Sequence, residues 1–232
     1  MSSAESDRNR REYEREYRGF MQTIEHPWHA LNPVSIYYRH EQERAISYIL
    51  RSLSNDLDDL RCLDVGCGYG GFIRFLAASG VNPRNIHGID IIPRRAIKAR
   101  ELAPKGATIL VSDASRLPYP GARFHLVSQL TVISSIFDSS SRARVCAEIE
   151  RVLLPGGQLI WYDIYRTRSR SAMAIPLSEI KHLLPKCQIV EIRRLHSLFS
   201  SRTAAFSPAL SMLLDKIPVL PKTHYLVLLK RV

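Results

Sequence analysis

The 232-residue sequence predicts a doubly wound α/β domain on a mostly parallel sheet, and three observations carry that prediction. Apolar strand-like runs alternate with helical segments from Arg61 to the end of the chain. The first run closes on a cluster of glycines, Gly66, Gly68, Gly70 and Gly71, immediately before a helix. The next two runs end on acids, Asp90 and Asp113, at the carboxyl ends of strands, where open α/β sheets bind ligands.

The elements follow in order. Residues 1–20 are polar and charge-dense, which predicts a frayed start. Residues 21–35 contain two prolines in HPWHALNP and read as irregular, with His26, Trp28 and His29 as a lid-like cluster. Ile36, Tyr37, His40, Ile46, Ile49, Leu50 and Leu53 recur at near-helical spacing, so Ser35 to Leu53 reads as a helix that SNDLDD breaks. CLDVG is the first strand, and GFIRFLAASG is a helix that stops at Gly80. NIHGID is the second strand. Pro93 opens the helix PRRAIKARELA from a first-turn position that suits proline. ATILVSD and FHLVSQL are the third and fourth strands. SSSRARVCAEIERVLL is a serine-capped helix ended by Pro155-Gly156-Gly157. QLIWYD is the fifth strand, LSEIKHLLP a short helix and QIVEIRRL the sixth strand. TAAFSPALSMLLDKI is helical in its second half, and HYLVLLKR closes the chain as the seventh strand. Residues 1–55 divide off as an N-terminal helical extension or lid, and residues 56–232 as the ligand-binding domain.

Composition narrows the function classes. Hydrophobic residues make up 45% and charged residues 24%, ordinary globular values. The net charge of +11 and pI near 9.8 suit contact with an anionic partner, such as a phospholipid surface. The arginines are spread along the chain, and no nucleic-acid-binding module is legible, so nucleic acid is not the expected partner. The four cysteines, Cys62, Cys67, Cys146 and Cys187, form no C-x-x-C pair, which argues against a disulfide framework or zinc site and for a reducing compartment. The charged start has no apolar leader, and no run approaches the ~18 apolar residues of a spanning helix. The expectation is a cytoplasmic protein, with peripheral contact to an anionic membrane surface as a further expectation.

The informative motif is Leu63-Asp64-Val65-Gly66-Cys67-Gly68-Tyr69-Gly70-Gly71. Glycines let the chain turn tightly and a ligand approach the backbone, and the following helix presents unpaired N–H groups. Asp90 is placed to accept from ribose hydroxyls beside Ile91, and Asp113 from an adenine amine beside Ala114. Gly66, Gly68 and Gly71 also fit the dinucleotide spacing, which keeps an NAD(P)-dependent oxidoreductase as an alternative. Asp64 and Asp113 have no natural role in that alternative. A P-loop is excluded because no Gly-Lys-Ser/Thr follows.

With its acid two residues before G-x-G-x-G, the stretch LDVGCGYGGF resembles class I S-adenosylmethionine-dependent methyltransferases. SDASRLPYPGARFHLV and EIERVLLPGGQLI resemble further parts of that family, and QLTVISSI, LIWYD and IPVLPKTHYLVLLKR resemble its bacterial methyltransferase type 11 subgroup. The resemblance implies a Rossmann-like sheet of seven strands with the last antiparallel, and an N-terminal helical cover over S-adenosyl-L-methionine. It implies that Asp64 and the loop Gly66, Cys67, Gly68 and Gly70 hold the methionine portion, with Gln129 and Leu130 beside it. It implies a small-molecule or glycan acceptor, most plausibly methylated at oxygen. Two departures stand out. His125 replaces the usual Asp after the third strand region, and Ser134 and Ser135 replace a His pair found in many relatives. They motivate a second alternative, an inactive cofactor-binding partner subunit.

Methyl transfer from a sulfonium is a displacement in which positioning supplies much of the rate, while a hydroxyl acceptor benefits from a general base. Asp163 at the tip of the fifth strand and His40 on the N-terminal helix are the candidate bases. Tyr37 and Tyr38 are candidate walls of the cofactor pocket. His196 follows the sixth strand and is placed to face the acceptor, whereas His224 reads as structural. No set of His, Cys and carboxylates has metal-site spacing, so no metal is expected. The apolar stretch FSPALSMLLDKIPVL, flanked by Arg193, Arg194 and Arg202, suits a pocket wall or a lipid-facing surface.

Overall fold

The computed structural model describes residues 29, 31–53, 57–167 and 172–232. The expected frayed start, His26 and Trp28 of the lid-like cluster, and Arg168 and Arg170 lie outside them.

Seven strands form one sheet in the order β3-β2-β1-β4-β5-β7-β6. They are β1 (Cys62–Val65), β2 (Ile86–Asp90), β3 (Thr108–Val111), β4 (Phe124–Leu130), β5 (Leu153–Ile164), β6 (Cys187–Ser197) and β7 (Lys222–Arg231). β1 pairs in parallel with β2 and β4, and β7 runs antiparallel to both β5 and β6. The strand order reverses beside β1, which opens a crevice at the carboxyl edge there. The helices are α1 (Pro33–Leu53), α2 (Gly71–Ala78), α3 (Pro93–Leu102), α4 (Ser139–Val152), α5 (Leu177–Leu183), α6 (Ser200–Thr203) and α7 (Pro208–Asp215). None of the described helices is long and apolar enough to cross a membrane.

The period-two alternation of the strands sorts their side chains between two cores. Leu63, Val127, Leu159, Trp161 and Val227 face Val145, Ile149 and Ile180 of α4 and α5. Cys62, Leu126, Ile160, Tyr162, Leu226 and Leu228 face Ile46, Ile49, Leu50, Ile73, Leu76, Ala96 and Ala99 of α1, α2 and α3. Runs buried on both faces read as continuous apolar stretches, which is why the strands were legible in the sequence.

Several boundaries differ from expectation: β3 ends at Val111, two residues before Asp113, and β7 begins at Lys222, two before His224. β5 begins at Leu153, ahead of the Pro155-Gly156-Gly157 turn, because Leu153 already pairs with Phe124 before a register shift. The cap of α4 is Asp138, whose carboxylate accepts the Ser141 N–H at 2.6 Å, and not one of the serines that follow it.

α7 is tied to the sheet through one carboxylate. Asp215 accepts from the Tyr37 hydroxyl, the Ser197 N–H and the Ser200 hydroxyl, and pairs with Lys222 at 3.4 Å. That knot joins α1, β6, β7 and α7 beside the carboxyl edge of the sheet.

Candidate functional site

A cavity of about 670 Å³ opens at the carboxyl edge of the sheet. Its size is in the range of small-molecule and cofactor sites. The glycine loop, the tips of β2 and β3, the turn after β4, and one stripe of α1 form its walls.

The loop between β1 and α2 takes its shape from three left-handed glycines: Gly66 at φ +71°, Gly68 at +54° and Gly70 at +72°. At Gly66 a Cβ would collide with Val132, so the turn after β4 packs directly on the loop. At Gly68 a Cβ would meet nothing within 4 Å, so the backbone there is open to the cavity. Cys67 N–H donates to the Ile89 carbonyl at 2.8 Å, and Gly68 N–H to Asp90 Oδ2 at 2.9 Å.

Asp90 therefore has a second task that its position in the sequence does not announce. It holds the glycine loop through Oδ2 and the start of α3 through the Ile92 N–H on Oδ1 at 2.8 Å. Each carboxylate oxygen keeps another lone pair for a ligand hydroxyl. Burial raises its pKa, against the pull of these N–H donors and Arg95. Asp64 is 2% exposed and lines the cavity, with Oδ1 accepting from the Ser128 hydroxyl at 2.8 Å. Burial pushes Asp64 up to about 7, the Ser128 bond opposes this, and the nearby Asp90 charge adds to it. Cys67 lines the cavity too, its thiol raised by burial. Asp113 closes the far wall with Ala114, and its Oδ1 accepts the Ser115 N–H at 2.8 Å within a local turn. Ile91 and Leu130 complete this part of the wall. Glycines, three carboxylates and an apolar flank fit a ligand with a ribose, an adenine and an ammonium group. Among the described residues no three His, Cys or acidic side chains are grouped to hold a metal ion.

Four expected residues are placed elsewhere. Gln129 is fully buried and does not line the cavity. Its Oε1 accepts from the Val132 N–H at 3.1 Å, which shapes the turn after β4. Asp163 is 2% exposed and likewise absent from the cavity wall. Oδ2 accepts the Ser134 N–H at 3.1 Å and Oδ1 the Ile164 N–H at 2.9 Å, while burial pushes its pKa up to about 6. Strand alternation is the cause: Gln129 and Asp163 share parity with Val127 and Trp161, which face α4 and α5. His40 is exposed on α1 and outside the cavity. Tyr37 is turned into the α1–α7 contact and bonded to Asp215. The geometry thus gives Asp163 a positioning task and leaves His40 and Tyr37 off the wall.

At the opposite end of the cavity sequence reasoning named Tyr38 but missed Ser35, Arg39, Gln42 and Tyr162, and read His224 as structural. Ser35, Tyr38, Arg39 and Gln42 line that end at i, i+3, i+4 and i+7, one stripe of α1. Tyr38, one residue and about 100° of helix from Tyr37, is the tyrosine on that stripe. Tyr162 and His224 also line the cavity. Their rings stack at 5.2 Å and 14°, and Tyr38 meets His224 edge-on at 5.5 Å. His196 is fully buried behind them, its ring 4.2 Å from Tyr38 and 5.1 Å from His224. Ser134 and Ser135 line the cavity at the turn after β4. His125 is far from it, at the start of β4, where Nδ1 accepts the Arg61 N–H at 3.1 Å.

Residues 63–161 match the methyltransferase domain family. A ubiquinone biosynthesis O-methyltransferase from Cereibacter sphaeroides is 34% identical over 166 residues, which are 69% of this chain and 64% of that protein. A 2-methyl-6-phytyl-1,4-hydroquinone methyltransferase from Synechocystis is 37% identical over 103 residues, 44% of this chain and 31% of that one. A sterol 4-C-methyltransferase from Caenorhabditis elegans is 30% identical over 115 residues, 47% and 33% of the two chains. The chain thus spans between 31% and 64% of the length of these curated relatives. Among solved structures, the fold is similar to an S-adenosylmethionine dependent methyltransferase from Mesorhizobium loti, with a TM-score of 0.59 and 20% identity, covering 79% of this chain and 96% of that one. It is also similar to a Pyrococcus horikoshii protein, with a TM-score of 0.63 and 17% identity, covering 95% and 99%.

Proposed function

The chain carries a class I S-adenosylmethionine-dependent methyltransferase domain of the type 11-like group, with S-adenosyl-L-methionine as its cofactor, and on that premise we propose that it transfers a methyl group to a hydroxyl oxygen of a small-molecule acceptor. The observation that carries this reading is the continuity of one cavity, from the glycine loop and its three carboxylates to an end lined by Tyr38, Tyr162 and His224. We assign Asp90 to the ribose, Asp113 to the adenine, and Asp64 with Gly66–Gly70 to the methionine portion. The cofactor supplies an activated methyl group, and the protein's part is to orient the acceptor for in-line attack and to exclude water. α1 serves as the cover over that end, so the helical extension ending near residue 55 is a working part of the site.

An oxygen acceptor is supported by the name of the Cereibacter relative, and a small molecule with an apolar body by the phytyl and sterol in the names of the other two. A surface for delivering such an acceptor is present beside α7. Phe206 is 91% exposed and Val219 85%, with Leu210, Leu213 and Ile217 exposed around them and Arg202 and Lys216 adjacent. Apolar side chains rimmed by basic ones suit an anionic membrane surface, and four unpaired thiols suit the cytoplasm. Titration calorimetry with S-adenosylmethionine and S-adenosylhomocysteine, with NADH as control, tests the cofactor. Mass spectrometric detection of a methyl gain on hydroxyl acceptors tests the reaction, and absence of any transfer in cofactor-binding protein contradicts it. Vesicles of phosphatidylglycerol are expected to pellet the protein at low salt, and the pair F206S and L213S to abolish this. Failure of the native chain to pellet removes the membrane surface from the proposal.

A further inference from the structure

We propose that His224, the residue that read as structural in the sequence, is the catalytic base of the acceptor end, with Nε2 receiving the proton of a phenolic hydroxyl held between Tyr38 and Tyr162. The assignment rests on the methyl-transfer reading and names the group that this reading lacks once Asp163 and His40 leave the cavity wall.

Topology places the ring. The other six strands have their carboxyl ends at the edge where the cavity opens, whereas β7 is reversed and has its start there. His224 pairs with Ile164 at the end of β5 and with Leu195 near the end of β6, so it stands at the same edge as the glycine loop. It lines the cavity that contains Asp64, Gly68 and Asp90.

Hydrogen bonding selects its tautomer. The Thr223 hydroxyl has one hydrogen, and it donates to the His196 carbonyl at 2.9 Å. Toward His224 Nδ1, 2.8 Å away, the same oxygen must therefore accept. Nδ1 then carries the ring's proton, and Nε2 is left as a lone-pair acceptor. Burial holds the imidazole neutral, with a pKa lowered to about 3, so Nε2 is unprotonated at working pH.

The surroundings match a flat acceptor. Tyr162 stacks on the His224 ring and Tyr38 meets it edge-on, while Leu130 and Val132 add apolar wall. Behind them His196 is fully buried with neither ring nitrogen bonded, at the left-handed φ of +56°. Unsatisfied buried rings and strained backbone concentrate at functional sites. A phenol suits this base better than an aliphatic alcohol: with its imidazolium disfavoured by burial, the ring takes the proton only as the O–CH3 bond forms and the hydroxyl becomes strongly acidic, and a phenol needs less of that help. In the step, the O–H bond breaks and its proton goes to Nε2. The oxygen's electron pair forms the new O–CH3 bond, and the S–CH3 pair stays on sulfur. The imidazolium, disfavoured by burial, releases its proton to water through the open cavity.

The test uses the full chain, S-adenosylmethionine, and phenol, catechol and 4-nitrocatechol as probes, with methyl ethers counted by mass spectrometry. H224Q is expected to keep S-adenosylhomocysteine affinity within about three-fold and to lose about 10²-fold or more in kcat, the usual contribution of general-base catalysis. Separately, ¹⁵N-histidine NMR of the native protein with S-adenosylhomocysteine should show His224 as the neutral Nδ1–H form. Native turnover in H224Q, an Nε2–H tautomer, or cofactor binding with no transfer to any of the three probes would each overturn the assignment. Absence of cofactor binding in the native chain would instead sink the methyltransferase reading beneath it.

Discussion

Replacing Asp90 with alanine separates two tasks that one carboxylate performs. Within the protein, Asp90 accepts the Gly68 N–H at 2.9 Å and the Ile92 N–H at 2.8 Å. A buried donor left without its partner costs about 1–3 kcal/mol. Gly68 opens onto the cavity, where water can replace the lost oxygen, but Ile92 is 2% exposed and its N–H is stranded. The expected loss of stability is about 2–4 kcal/mol, which lowers Tm by roughly 5–12 °C in a chain of this size. The cofactor loses the ribose acceptor as well, worth about 1–3 kcal/mol, or a roughly 5- to 150-fold weaker Kd. Asp113→Ala is the companion variant, since its Oδ1 bond to the Ser115 N–H is a local turn and ties no second element to the glycine loop. That variant should weaken the cofactor with little change in Tm. Scanning calorimetry and isothermal titration with S-adenosylmethionine read the two quantities independently. A destabilised Asp90→Ala protein that binds the cofactor as tightly as the native chain would refute the ribose assignment and leave Asp90 as a loop staple alone.

Four further variants probe the cavity and the turn beneath it. Gly66→Ala must place a Cβ against Val132 at a positive φ, so a loss of about 2–5 kcal/mol is expected, whereas Gly68→Ala carries only the left-handed strain of ~1–2 kcal/mol and should chiefly weaken the cofactor; equal Tm values for the two would contradict the packing described. Asp64, pushed up to about 7 from an unfolded value near 3.8, binds its proton more tightly in the folded state, so its contribution to stability is full below pH 4 and declines as pH rises from 4 to 7. Pairing with the cofactor's ammonium should then release a proton near pH 6, visible as a buffer-dependent binding enthalpy that Asp64→Asn abolishes. Asp163→Asn should cost about 1–3 kcal/mol of stability through the Ser134 and Ile164 N–H groups and leave the pH profile of turnover in place; a loss of 10²-fold or more in kcat with an unchanged Tm would restore it as a base.

The two ends of the cavity were not equally legible, and the difference is physical. The cofactor end is built from contiguous signals. Gly66, Gly68 and Gly70 each need a positive φ, and Asp90 and Asp113 close apolar runs whose direction is set by the parallel sheet. The acceptor end depends on quantities that a linear pattern leaves open. One residue of helical phase separates Tyr38 on the wall from Tyr37 in the α1–α7 contact. One step of strand parity separates Leu130 and Tyr162 on the wall from Gln129 and Asp163 beneath the next turn. The anchoring of Tyr37 by Asp215 joins residues far apart in sequence, so no local signal announces which of the two tyrosines lines the cavity.

His224 shows why direction matters as much as pattern. A histidine before an apolar run reads as the foot of a strand, and in a parallel sheet the foot lies at the edge away from the ligand. Reversal of β7 exchanges the edges, so the first residues of that strand join the tips of all the others. The glycine loop and the three carboxylates belong to β1, β2 and β3 on one side of β4, while Tyr162, His196 and His224 belong to β5, β6 and β7 on the other. Substitutions at Thr223 or His224 can therefore change what the cavity recognises as an acceptor without moving a single contact of the glycine loop. The division also explains why the match to the methyltransferase domain family, which ends at residue 161, stops one residue short of the aromatic end. On the proposed assignment, Tyr162 and His224 lie beyond the shared pattern and Tyr38 before it, so that end of the cavity has to be read from the fold.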